Sequence, residues 1–504
     1  MGAARRFGLF LLVALALHAA AFSVDLFNPD EAFLGTQGRV ILAGGAVYDD
    51  TADRKAPLAP YLYAATMGVA GDNTLAGPRA LAILALALTA FLTAIEGRAR
   101  WGDRAGLTAG LLTLFATAAF LPGDGQAANF EIFMLPTTVA AVMLARRARF
   151  FESGIAAAFA VLTKQTGGTT LLPVAFLALR QREGPRRLRN VGLIGAGFVA
   201  PIVLAALLVG VGEYLRWNVF GNGDFASPPP FGEAIQVFFE QWGLWVGLSA
   251  PLVLLVLVAW RDRRQGRAGS ERDTDLWLWL LAGVISLTVG WRFYGHYFLQ
   301  LAPAVALLIA GVLARRTAAW RVAALVATGA IAAGCGIAAF VADPADIIRP
   351  EITRDAARAV RDRSGPDDRL LVWGLAPELY WEADRLPATR FVTTLSFLAD
   401  IQPSRDDARA RPERANRDSW DDFVADFDTH PPRIVVDTAP AALKDSELAP
   451  MRRYPSLARR IVSDYCFVRA VRGMHLYQRG AGDGPAADAG PRGTATPIAP
   501  PCSD

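Results

Sequence analysis

Apolar positions run through the first two thirds of the chain in long stretches, then give way near Pro344 to shorter runs of a different period. Segments able to cross ~30 Å of hydrocarbon, or nearly so, cover residues 7–24, 79–95, 105–121, 130–144, 151–162, 168–179, 191–211, 235–260, 276–290, 296–313 and 319–341. They predict eleven spans. The segments around Phe151 and Gly168 are short and separated only by TKQTG, which suits a helical hairpin that stops shy of the outer surface. Beyond Pro344 the pattern predicts a helix over 351–363, a buried strand at 369–374, a short helix at 377–384, a strand at 433–437 and a closing hairpin over 465–479. The expected organisation is a polytopic helical membrane domain over 1–343 and a small α/β domain over 344–480. A Gly/Pro/Ala-rich tail over 481–504 is expected to be disordered.

Composition agrees: 53% of residues are hydrophobic and 19% charged, which argues against a soluble protein of this length. Arginine in the loops sets the orientation. With the N-terminus inside, Arg5/Arg6, Arg98/Arg100/Arg104, Arg146/Arg147/Arg149, the arginines of 180–189 and 261–272, and Arg315/Arg316/Arg321 all fall in cytoplasmic segments. Eleven crossings then put everything after about Asp343 outside the cytoplasmic membrane. Reading residues 1–24 as a cleavable signal peptide would invert this alternation. The three cysteines are too few for a disulfide framework, although Cys466 and Cys502 could pair outside the cytoplasm.

Ion-coupled transporters place charges near the bilayer midplane, often in two related halves. Here the span centres are nearly free of charge, and no repeat relates two halves. The unusual polar residues cluster at outer ends instead. Asp30 and Glu31 follow the first span within NPDEA, and Lys55 lies later in the same loop. Asp124 and Glu131 separate spans three and four, Lys164 separates five and six, and Arg292, Tyr294, His296 and Tyr297 separate nine and ten. Acids and bases thus meet at one depth. Only three of the 51 basic residues are lysines, and two of them, Lys55 and Lys164, sit at that level; a compact ammonium there suits the clasping of a phosphate. The first outer loop, about 25–78, is expected to carry two interfacial helices, in EAFLGTQGRVILAGG and PLAPYLYAATMGVAG, that lie on the membrane as a rim.

At these residues the chain resembles the polyprenyl-phosphate-sugar-dependent glycosyltransferases of the GT-C fold, in particular the bacterial relatives of protein O-mannosyltransferases and lipid A aminoarabinose transferases. The resemblance rests on the Asp30–Glu31 pair followed by Arg39, and on Lys55 with Pro57, Leu58, Tyr61 and Leu62, where the family has Pro in place of Ala56. It rests also on NFEIFMLP (129–136), LTKQTG (162–167), HYFLQLAPAVALLIAG (296–311) and LVWGLAPELYWEADRLPATRF (371–391). In order, these cover most of residues 1–390.

The resemblance implies transfer of a monosaccharide from a polyprenyl monophosphate carrier to a hydroxyl of an envelope lipid, glycan or protein, at the outer face and with inversion. It implies Asp30 as base, with Lys55, Lys164, Arg292 and His296 stabilising the departing phosphate. Glu31 would orient Arg39 or the loop, Asp124 or Glu131 would be a second acid near the sugar, and Tyr61 and Tyr297 would help bind substrate. No cofactor is required, though two acids beside a phosphate could recruit a divalent cation. Without the resemblance the residues have plainer readings. Asp30 and Glu31 suit the first turn of a helix, Glu131 and Lys164 suit the interface, and His296 and Tyr297 suit an aromatic belt. FGNGDFASPPPFG (220–232) reads as a loop lid or a simple turn. A lipid-linked glycan flippase or polymerase, and a membrane scaffold displaying the outer domain, are the alternatives, and the ring of acids and lysines at one face favours the enzyme.

Overall fold

The computed structural model describes residues 2–180, 184–222, 231–266, 273–341, 350–401, 410–480 and 496–502. The chain forms two compact units, one of Met1–Phe27, Arg54–Leu62 and Leu75–Ala342, the other of Asn28–Asp53, Tyr63–Thr74 and Asp343–Asp504. Much of the first outer loop therefore belongs with the C-terminal segment, a boundary that hydropathy does not reveal.

The first unit is helical. Among the described residues, five helices are long and apolar enough to cross a membrane: Ala76–Trp101, Gly184–Leu208, Thr274–Trp291, Gly295–Leu313 and Ala318–Ala338. Lipid supplies no hydrophobic drive between helices, so close packing of small residues does that work. A Cβ on Gly197 would lie 2.0 Å from the Phe151 carbonyl oxygen, and one on Gly110 would lie 2.3 Å from the Phe10 ring. Glycine at these points lets Gly184–Leu208 lie against Phe150–Thr163, and lets Ala3–Leu17 dock on Asp103–Ala118. The described part of Gly295–Leu313 is wholly buried, which makes it the central element of the unit.

Two features depart from the sequence pattern. The stretch read as one span over 235–260 is two helices, Phe231–Leu248 and Ala250–Arg264, bent by 90° at Ser249. Pro251 explains the break, because its ring suits the first turn of a new helix and cannot continue the old one. Secondly, Arg100 does not face a loop. It is buried with Glu96 and Asp275, which also take Arg146 and Arg147, and the five charges tie together Ala76–Trp101, Phe130–Arg146 and Thr274–Thr288. A buried charge is tolerated when paired in this way.

The second unit holds a four-stranded sheet of β1 Leu370–Trp373, β2 Ile434–Asp437, β3 Tyr465–Val471 and β4 Met474–Arg479, in the order β1-β2-β4-β3. β1 and β2 run parallel and the other pairs antiparallel. Helices Pro350–Arg361 and Pro377–Ala383 cover it, with Ala356, Val360, Leu370, Val372, Leu379 and Val436 in one core.

Helix Pro29–Leu42, expected to lie on the membrane, is instead built into this unit. Ala32 to Val40 are buried, and Phe33 joins the sheet core. Arg39 fastens it: Nε donates to the Asp72 carbonyl (2.9 Å), Nη1 to the Trp381 carbonyl (3.0 Å), Nη2 meets Asp384 at 3.3 Å, and the guanidinium lies 3.9 Å from the centre of the Trp381 ring. A helix buried on this scale has no apolar stripe left to lay on a bilayer.

Part of the expected disordered tail is also ordered. Cys466 and Cys502 form a disulfide. Residues 496–502 extend the sheet edge, the Phe467 N–H donating to the Pro500 carbonyl (2.7 Å), the Cys502 N–H to the Phe467 carbonyl (3.0 Å), and the Ile498 N–H to the Tyr477 hydroxyl (3.2 Å). Residues 481–495 of the tail, and 223–230 of the expected lid loop, lie outside the described residues.

Candidate functional site

Four short segments of the first unit converge on one cluster. Phe130–Arg146 starts behind Asn129, so Phe130 and Glu131 occupy its first turn, where a carboxylate suits the helix dipole. Phe150–Thr163 ends at Lys164, whose extended backbone leads into the 3-10 turn Gln165–Thr170. Lys164 pairs with Glu131, both side chains buried, and its ammonium sits 3.7 Å from the centre of the Tyr297 ring. Lys55 lies 4.1 Å from the centre of the Phe130 ring, and Gln165 holds the adjoining backbone by donating to the Arg54 carbonyl at 2.7 Å. Aromatic faces attract cations, and more strongly when water is excluded.

The fourth segment is the turn into the central helix. Gly290, Trp291 and Phe293 have φ of +73°, +52° and +46°, a conformation that costs a bulky residue roughly 1–3 kcal/mol. Arg292, buried between the last two, owes its place to that strain. Gly295–Leu301 follows as a 3-10 helix carrying His296 and Tyr297. His296 meets one oxygen of Asp124 twice, through its backbone N–H at 3.0 Å and through ring Nδ1 at 2.8 Å. Its ring stacks on Tyr294, with centres 5.7 Å apart. Gly295 permits the approach, because a Cβ there would lie 2.3 Å from the second Asp124 oxygen.

Among the expected site residues, Lys55, Asp124, Glu131, Lys164, His296 and Tyr297 therefore share one neighbourhood. Tyr61 is exposed on Leu58–Ala70, and no described contact joins it to them. Asp30, Glu31 and Arg39 belong to the second unit. Asn28 caps Pro29–Leu42 by accepting the Glu31 N–H at 3.0 Å, so the two acids occupy the first turn without providing the cap, and Glu31 is fully buried. Arg39 serves as a fastening, with its donors directed to Asp72, Trp381 and Asp384. Phe130, Gln165 and Gly295 were missed by sequence reasoning, since an aromatic, an amide and a glycine beside a charged residue carry no local signal of such a role. Among the described residues, no group of three or more His, Cys, Asp or Glu side chains is arranged to hold a metal ion.

A helical unit with apolar spans, a long first loop and a small C-terminal sheet give the chain the GT-C fold. Two crystal structures of ArnT from Cupriavidus metallidurans share it. The structure bound to undecaprenyl phosphate superposes with a TM-score of 0.63 and the apo structure with 0.64, each at 16% identity over 93% of this chain and 97% of that one. The Archaeoglobus fulgidus oligosaccharyltransferase in complex with Zn and sulfate matches at 13% identity and a TM-score of 0.50, covering 94% of this chain and 73% of its own. At such identities the likeness is one of fold. No family model matches the sequence, nor does any curated protein.

Proposed function

We propose that this protein is a membrane glycosyltransferase that moves a monosaccharide from a polyprenyl-phosphate carrier to a hydroxyl of a cell-envelope lipid, glycan or protein, with inversion. The observation that carries the reading is the gathering of Lys55, Lys164 and His296, from three distant parts of the chain, among Phe130, Tyr294 and Tyr297. The departing group is a phosphate monoester whose charge grows as the glycosidic bond breaks, and cations fixed beforehand stabilise that state more than the bound donor. Lys55, Lys164, Arg292 and His296 take this part. Asp30 takes the proton of the incoming hydroxyl. One of the two ArnT structures is bound to undecaprenyl phosphate, and the same carrier class suits this chain.

The reaction is placed at the outer face of a bacterial cytoplasmic membrane, with the N-terminus inside and the C-terminal sheet outside. Arginine alternation supports that orientation. So does the Cys466–Cys502 disulfide, since such bonds persist outside the reducing cytosol. Neither a cofactor nor a nucleotide sugar is needed, and a divalent ion remains an accessory that added metal or chelator would reveal.

The test is reconstitution. Purified protein given undecaprenyl-phosphate mannose or undecaprenyl-phosphate aminoarabinose, with an envelope extract as acceptor, should release undecaprenyl phosphate; turnover with a nucleotide sugar alone would overturn the reading. Asp30→Asn should cut turnover by ~10²-fold or more while donor binding persists. If the carboxylate only favours the helix dipole, activity should stay near the wild-type level.

A further inference from the structure

We propose that His296 is the proton donor to the departing phosphate and that Asp124 is its positioning residue; this rests on the transferase reading above.

Asp124 accepts from His296 at Nδ1, and the same oxygen accepts the His296 backbone N–H, so the ring is fixed in position and in rotation. A carboxylate at Nδ1 keeps a proton there, which makes Nε2 the exchangeable position. Tyr294 stacked on one side and Tyr297 edge-on, with ring centres 5.0 Å away, restrict the ring further. Holding a ring in this way costs sequence freedom, because position 295 must be glycine for Asp124 to come so close. Four of the chain's residues are histidines, and this one carries that architecture.

Charge balance sets the direction of transfer. Charged groups around the ring include Asp124, on the turn Pro122–Gly125, the buried Arg292 of the same turn as His296, and Lys164, which lies over the Tyr297 ring and is matched by Glu131 from Phe130–Arg146. Because Glu131 neutralises Lys164, the ammonium does not forbid a second positive charge nearby, and Asp124 supplies the counter-charge for an imidazolium. A ring so placed is a donor at Nε2.

The step balances. The bond from the anomeric carbon to the phosphate oxygen breaks as a bond to the acceptor oxygen forms. The acceptor proton goes to the base, the Nε2 proton goes to the phosphate, and the carrier leaves as a singly charged monoester. Solvent then returns the two protons to their places. A fixed cation would stabilise the same charge without moving a proton, and His296→Arg, a cation that keeps its proton, separates the two roles: turnover as low as in His296→Gln supports proton donation, and turnover within about threefold of wild type overturns it.

The experiment uses the full chain in detergent, labelled with [15N]histidine, with the His296 signals assigned by their loss in His296→Gln. On adding undecaprenyl phosphate near neutral pH, wild-type His296 should show both ring nitrogens protonated. Asp124→Asn and Gly295→Ala should show a neutral ring of mixed tautomers. Turnover should fall ~10²-fold in His296→Gln and ~10-fold in Asp124→Asn, with donor KM within about threefold of wild type. A neutral His296 in the wild-type complex, or Asp124→Asn turnover within about twofold of wild type, overturns the proposal. If wild type catalyses no transfer from either donor, the transferase reading falls and takes this role with it. Transfer by wild type with a neutral His296 refutes the proton donor alone.

Discussion

Removing the Cys466–Cys502 disulfide is the perturbation whose size the structure fixes best. The bridge spans 36 residues of sequence. In the chain-entropy treatment a closed loop of that length lowers the free energy of the folded relative to the unfolded state by ~3.8 kcal/mol at 25 °C, within the ~2–5 kcal/mol that removing a native bridge typically costs. For a unit of this size each 1 kcal/mol moves the melting temperature by roughly 2–4 °C, so the double variant Cys466→Ser/Cys502→Ser should melt about 8–15 °C lower. The loss should be local. Hydrogen exchange followed by mass spectrometry should show the Phe467 and Cys502 amides, which bond the strap to β3, exchanging faster by up to ~10²-fold or more, while the buried amides of Gly295–Leu313 stay unchanged. Wild type treated with reductant should reproduce the variant once thiol labelling confirms the bond is open. If the double variant melts within about 2 °C of wild type and the β3 edge stays protected, the strap is held by its hydrogen bonds alone and the reasoning fails.

Three further outcomes follow from burial. Asp437 lies in β2 where loss of hydration pushes its carboxyl up to about 7. The unfolded chain sheds that proton near ~4, so the group removes stability progressively as pH rises between those values and the loss is complete above them. Asp437→Asn, which keeps the acceptor for the Ala439 N–H, should melt with wild type near pH 4 and gain ~2–4 kcal/mol at pH 8; equal melting at pH 8 would refute it. Glu131→Gln strands the buried Lys164 and should cost ~3–5 kcal/mol in detergent melts, with Glu131→Gln/Lys164→Met recovering most of it; equal losses in both would mean the pair is not the reason. Lys55→Arg should weaken undecaprenyl phosphate binding by ~10-fold or more, since a guanidinium fork does not fit a seat made for a compact ammonium over Phe130; unchanged affinity would mark Lys55 as a bystander.

Which of these features were legible in the sequence depends on how far their causes reach along the chain. β1, β2 and the hairpin of β3 and β4 fall where short apolar runs predict them, because a buried strand declares itself in four to seven residues. The long apolar helices are equally plain. The 90° bend at Ser249 is not, as both flanks are apolar and the one signal is Pro251. Pairings are harder still. Asp124 and His296 are 172 residues apart, and Arg39 and Trp381 are 342 apart, so the sequence shows each charged residue without its partner. That is why the motif shows Arg39 without the partners it fastens to in space. The strap at 496–502 was hidden by composition, for Ala, Pro and Gly give no periodic signal even where a cysteine tethers them.

The scarcity of lysine has a practical side. Lys55 rests on Phe130, Lys164 is paired with Glu131, and Lys444 donates to Glu378 at 2.6 Å and to the Leu375 carbonyl at 3.2 Å. Lys164 is buried away from the reagent, so reductive methylation of the folded protein with [13C]formaldehyde would place isotopic methyl groups on Lys55, Lys444 and the terminal amine. One of those lysine reporters sits in the helical unit beside the candidate phosphate seat and the other in the sheet unit. Their spectrum would watch carrier arrive at one unit while the other serves as its internal reference.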